Sequence, residues 1–151
     1  MSEKHIVTAA SCLRSARIFN YASIISISIS TLLLVVALNI NTKMSFLPFV
    51  LSVPPIMLWL AGSIFVYAAI AHHPDPRVVH YNRWAGYRYY AMVGTMVVAG
   101  QPLYGIFEDG RGMLLVWGLM ALGIVPLGLR DIVRAGREDW QDIEVETGVH
   151  G

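Results

Sequence analysis

The sequence predicts an all-α integral membrane protein with four transmembrane helices and both termini in the cytoplasm. A short interfacial helix is expected in the 2–3 loop and an amphipathic helical extension at the C-terminus. Three observations predict this. Apolar residues make up 56% of the 151-residue chain and charged residues only 14%, against about 25% charged in a soluble domain. Four stretches lack Asp, Glu, Lys and Arg: 25 residues between Arg17 and Lys43, 31 between Lys43 and Asp75, 19 between Arg88 and Glu108, and 18 between Arg111 and Arg130. Each meets or approaches the roughly 20 residues of a bilayer-crossing helix. Finally, nine of the 11 basic residues fall in the N-terminal segment, the 2–3 loop and the C-terminal segment, leaving only Lys43 and Arg111 in the other two loops. Under the positive-inside bias, that asymmetry orients four spans with both ends inside.

Residues 1–17 form a cytoplasmic N-terminal segment carrying Lys4, Arg14 and Arg17. Their Ser, Ala and Arg content weakly resembles a mitochondrial presequence, but a positively charged flank is the simpler reading. No small-residue cleavage pattern follows the first apolar run. Cys12 is the single cysteine, so there is no intrachain disulfide framework. Span 1 covers about 18–40. Its "ISISIS" (Ile25–Ser30) has the period of a strand, but the length of the surrounding apolar run decides for helix. Span 2 covers about 51–71 and ends before Pro74, which cannot continue its hydrogen bonding. Asp75 is then placed as an N-cap and Pro76 as a first helical residue. A short interfacial helix over Pro76–Trp84 follows, with Arg77, Arg83 and Arg88 expected to contact lipid headgroups.

Spans 3 and 4 cover about 89–107 and 113–129, completing a four-helix transmembrane domain over 18–129. Between them "FEDGRG" reads as a solvated tight turn containing Glu108 and Asp109. Residues 130–151 are expected to be a cytoplasmic amphipathic tail. Ile132, Val133, Gly136, Trp140 and Ile143 fall near one helical face. Five acids between Glu138 and Glu146 would repel an anionic membrane, so Trp140 and Ile143 are expected to form a partner interface.

The stretch "AHHPDPRVVH" raises the question of metal. His72 and His73 are neighbours and diverge by about 100° on a helix, and two prolines separate them from His80. His73, Asp75 and His80 are weak metal candidates, and none is favoured; no cofactor is expected. Within the spans the polar candidates are Ser26, Ser30, Thr95, Gln101 and Pro102. Ser26 and Ser30 continue a small-residue face begun by Ala22, and Thr95 shares one with Ala91 and Ala99, which suits close helix contact. Pro102 frees the Val98 carbonyl, and Gln101 lies about 9 Å below the end of span 3, at 1.5 Å per residue.

No ionisable group occupies the centre of a span, as a proton relay would require. Chain size and helix count resemble those of small multidrug-resistance exporters, but span 1 lacks that family's first-helix glutamate. Nor does the chain contain a phosphate-binding glycine loop or a nucleophile motif. The expectation is a structural or accessory subunit of a larger membrane assembly, or a homo-oligomer, with no catalytic chemistry of its own. Its partners are lipid and other membrane subunits or itself, not nucleic acid. The alternatives are a small transporter or channel with a polar path near Gln101 and Pro102, and a metal- or cofactor-binding membrane subunit using His72, His73 and His80. The expected location is the bacterial cytoplasmic (inner) membrane, with the mitochondrial inner membrane as alternative.

Overall fold

The computed structural model describes residues 3–40, 43–107 and 110–147. Its elements are β1 (Glu3–Val7), α1 (Ala9–Asn39), α2 (Leu47–Ile70), α3 (Pro76–Tyr104), α4 (Arg111–Ala135) and β2 (Ile143–Thr147). Glu108 and Asp109, expected in a tight turn, lie outside the described residues. α1, α2 and α4 are long and apolar enough to cross a membrane. A belt of large apolar side chains points away from the bundle, with Phe65 and Val98 about four-fifths exposed. Such a surface suits lipid and not water. The protein is therefore a membrane-embedded helical bundle.

α1 is the central helix and packs against the other three. Its 31 residues span about 46 Å, more than the roughly 30 Å hydrocarbon core. Its first turns carry Arg14 and Arg17, and the charge-free run begins only at Ile18. Two clusters form the core. One is centred on Phe19, Ile27, Leu34, Tyr89, Trp117 and Ile124. The other, nearer the chain termini, joins Cys12, Ala16, Ile70, Val78, Tyr81 and Ala135.

Two expected elements are corrected. Pro76–Trp84 is not a separate interfacial helix but the first part of α3, which runs unbroken to Tyr104. Asp75 and Pro76 start it as the sequence indicates, with Asp75 accepting from the Arg77 amide. Nothing stops it at Ala85–Gly86. Gly86 lies where a Cβ would come within 2.9 Å of the Tyr67 ring, so this glycine admits α2 to the surface of α3. The charged first half of α3 lowers its overall apolarity and explains why it differs from the other three helices.

Beyond Ala135 the described part of the C-terminal extension is not helical. α4 stops at Ala135, and Gly136 begins a turn closed by bonds from Gly136, Arg137 and Glu138 amides to Ile132, Arg134 and Ala135 carbonyls. A Cβ at position 136 would collide with the Arg17 guanidinium, which occupies that space and donates to the Ile132 carbonyl at 3.0 Å. The chain then reverses into β2, which pairs antiparallel with β1 in the register Lys4↔Glu146, His5↔Val145, Ile6↔Glu144. Ile143 and Val145 lie half-buried while Glu144 and Glu146 are exposed. That alternation is the period of a strand. Asp142 also accepts from the Ala9 amide at 2.7 Å, so the tail caps α1 together with Thr8.

Candidate functional site

At the terminal end, α2 turns into α3 beneath the C-terminal segment. Asp75 is buried and holds Arg77 through Nη2 at 2.8 Å and Nε at 3.2 Å. Arg77 reaches on to the Asp139 carbonyl (2.9 Å) and to Glu138 (3.7 Å), and lies 4.5 Å over the Trp140 ring. The Trp140 indole donates to the Ala135 carbonyl at 2.8 Å, and Tyr81 donates to Glu138. The Arg77 hydrogen bonds hold the Asp75 carboxyl below the usual carboxylate range. Burial, then the bond to Glu138, push the Tyr81 phenol up to about 12. One guanidinium thus ties the α2–α3 elbow to the tail. Trp140 and Ile143, expected to face a partner, pack partly buried against the chain's own Tyr81 cluster.

The three arginines assigned to lipid headgroups separate here. Arg77 and Arg88 are engaged within the chain, and Arg83 is exposed. Arg88 makes a short ion pair with Asp131, both side chains 16% exposed, and donates to Asn20 at 3.3 Å. Among the histidines, His73 Nδ1 accepts from the Asp75 amide, while His72 and His80 are exposed. Among the described residues no three His, Cys, Asp or Glu side chains converge as a metal site.

Deeper in the bundle, α1 presents a serine ladder to α2. Trp59 donates to Ser23 at 2.9 Å, Ser26 donates to the Pro55 carbonyl at 2.9 Å, and Ser30 donates to the Ser52 carbonyl. Trp117 of α4 donates to the same Ser30 oxygen at 2.6 Å, and Tyr89 of α3 to the Ile56 carbonyl at 3.0 Å. Pro54 and Pro55 remove two amide donors from the α2 ladder in this stretch. Those amides would have reached the Val50 and Leu51 carbonyls; the three side-chain donors from neighbouring helices fall instead on the Ser52, Pro55 and Ile56 carbonyls. Ser26 and Ser30 were legible as a small-residue face. Ser23, Ser52, Trp59, Trp117 and the proline pair were missed; a Pro-Pro inside an apolar run opposite serines spaced three and four apart was the available signal.

Gln101 belongs elsewhere. α2 and α3 meet where the Tyr90 and Ser63 hydroxyls share a hydrogen bond (3.0 Å) and where Tyr67 abuts Gly86, then leave a cleft of about 690 Å³ away from the termini. Phe49, Val53 and Met57 of α2 form one wall, and Met96, Val97 and Gln101 of α3 the other. Met113, Val116, Trp117 and Met120 of α4 form the floor. Pro102 and Thr95 are exposed and outside this lining. The five intramembrane candidates therefore do not converge on one path. Two are in the serine ladder, one lines the cleft and two face outward.

Set against protein-family models, curated proteins and solved structures, the chain matches none.

Proposed function

We propose that the protein is a small non-catalytic subunit of a membrane assembly, or of a homo-oligomer, crossing a bacterial cytoplasmic membrane four times with both termini inside. The observation that carries the subunit reading is where the intramembrane polar groups go. The Ser23, Ser26 and Ser30 hydroxyls and the Trp59 and Trp117 indoles fasten helix to helix. Such bonds average about 0.6 kcal/mol each in membranes, enough together to fix one packing of a slim bundle. This is the chemistry of a scaffold.

The threading rests on charge and on the strand pairing. An odd number of crossings would place β1 and β2 on opposite sides of the bilayer, where they could not pair. With α1, α2 and α4 as crossings, the apolar second half of α3, from Tyr89 onward, supplies the fourth. The nine-to-two distribution of basic residues supports a cytoplasmic position for the paired termini. The test of the subunit reading is purification of the tagged full-length chain in a mild detergent. A partner in fixed stoichiometry, or a discrete oligomer, is expected. A well-folded monomer at every concentration and in every detergent tried would overturn it.

A further inference from the structure

The cleft between α2 and α3 has a gradient of polarity along its length. At the end away from the termini its rim carries Ser45, Gln101 and Tyr104, all uncharged hydrogen-bonding groups. Tyr104 is the last residue of α3, a position where an amphipathic ring suits the headgroup level. Toward the bundle middle the lining becomes wholly apolar, with Ile56, Val93, Val116 and Met120. Methionines from all three helices (Met57, Met96, Met113 and Met120) line it, and their unbranched side chains adapt to a flexible guest.

The walls run from Phe46 to Met57 and from Val93 to Tyr104, each about 16 Å of helix at 1.5 Å per residue. An extended hydrocarbon chain laid along the cleft matches that length. The slot is also half as long as the hydrocarbon core is thick, which is the depth of one leaflet.

We propose that this cleft binds an acyl chain of a membrane glycerolipid. The ester region sits at the Ser45, Gln101 and Tyr104 rim, and the methyl end lies against Val93 and Met120. The polarity gradient matches that of the leaflet around it, so the lipid enters sideways without inverting. Gly100 keeps the slot open: a Cβ there would meet only Val116, at 4.0 Å, so any longer side chain grows into the lumen. The site stands apart from the subunit reading, since a lone chain in vesicles suffices to bind lipid.

The experiment uses the full-length protein in phosphatidylcholine–phosphatidylglycerol vesicles. These are doped with a phosphatidylcholine bearing a diazirine partway along one acyl chain. Illumination is followed by peptide mapping. In the wild type, label is expected on the floor residues Val116, Trp117 and Met120, which are at most 7% exposed, as well as on the outward-facing Leu122. Gly100→Leu should abolish floor labelling and leave Leu122 labelled. Val97→Trp, at the exposed rim, is a second block should the first variant fail to fold. Leu122 labelled without the floor in wild type, or floor labelling unchanged in a folded blocked variant, would overturn the proposal. So would floor labelling displaced by a co-purifying protein.

Discussion

The two ends of this bundle are built on opposite principles. At the terminal end, α3 is charged, the chain folds back on itself, and Asp75, Arg77, Glu138 and Trp140 bind two elements together. At the other end, α2 and α3 stand apart over an apolar floor, and the cleft there is lined by methionines and aromatic rings. Charge-assisted bonds have fixed directions and lock one geometry. Methionine packing has none and tolerates a changing guest. The difference teaches where this small protein is rigid and where it is adaptable.

The largest way to break the contrast is to remove residues 138–151. This deletes β2, the Asp142 cap on α1, and the ring beneath Arg77. A cap is worth about 0.5–2 kcal/mol and a cation–π contact about 0.5–1 kcal/mol. A loss of about 2–3 kcal/mol is therefore expected, read as a lower unfolding midpoint in detergent. The clamp is peripheral if the midpoint does not move.

Next comes Asp131→Ala, which leaves Arg88 facing Asn20 with no counter-ion. The expected cost is about 1–3 kcal/mol. The double variant Arg88→Ala/Asp131→Ala should lose less than the sum of the two single changes. Additivity in that cycle would mean that the pair is not coupled.

Ser30→Ala orphans the Trp117 indole and one contact to the Ser52 carbonyl, for about 1 kcal/mol. The unfolding midpoint checks it, and Ser30→Thr, which keeps the hydroxyl, should restore part of the loss.

Acidification sharpens the contrast further. Asp75 is held below the ordinary carboxylate range by Arg77, so its stabilisation is present at neutral pH and is lost as pH falls through that lowered value. Stability is expected to drop on acidification, and Asp75→Asn should flatten the drop in that range. An identical pH profile in the variant would remove Asp75 from the clamp. The smallest effect is expected at the cleft. Met96→Leu conserves volume on an adaptable wall and should shift the same midpoint by under about 1.5 kcal/mol.

Much of this fold was written in the apolar pattern, because a run that must cross lipid has few other solutions. The four helices, the Asp75–Pro76 start of α3 and the small-residue face at Ser26 and Ser30 could all be read directly. The tail could not. Trp140 and Ile143 are three apart and suit a helix, while Ile143 and Val145 are two apart and suit a strand; the partner that decides, Lys4 to Val7, lies at the other end of the chain. The interfacial helix was over-divided for a related reason. Charge marks where the membrane ends, but a helix does not have to stop there. The cleft was legible only through Gln101, since its shape depends on how far α2 and α3 diverge, which no local pattern encodes.

The most direct measurement of the central claim, that the paired termini share one side of the membrane, is sided labelling of single cysteines. His5→Cys, Val145→Cys and Lys43→Cys would be made in a Cys12→Ala background and probed in intact cells with an impermeant maleimide. The account predicts that positions 5 and 145 react only after permeabilisation and that position 43 reacts without it. Labelling of positions 5 and 145 from opposite sides would contradict the pairing, the even number of crossings, and with them the clamp itself.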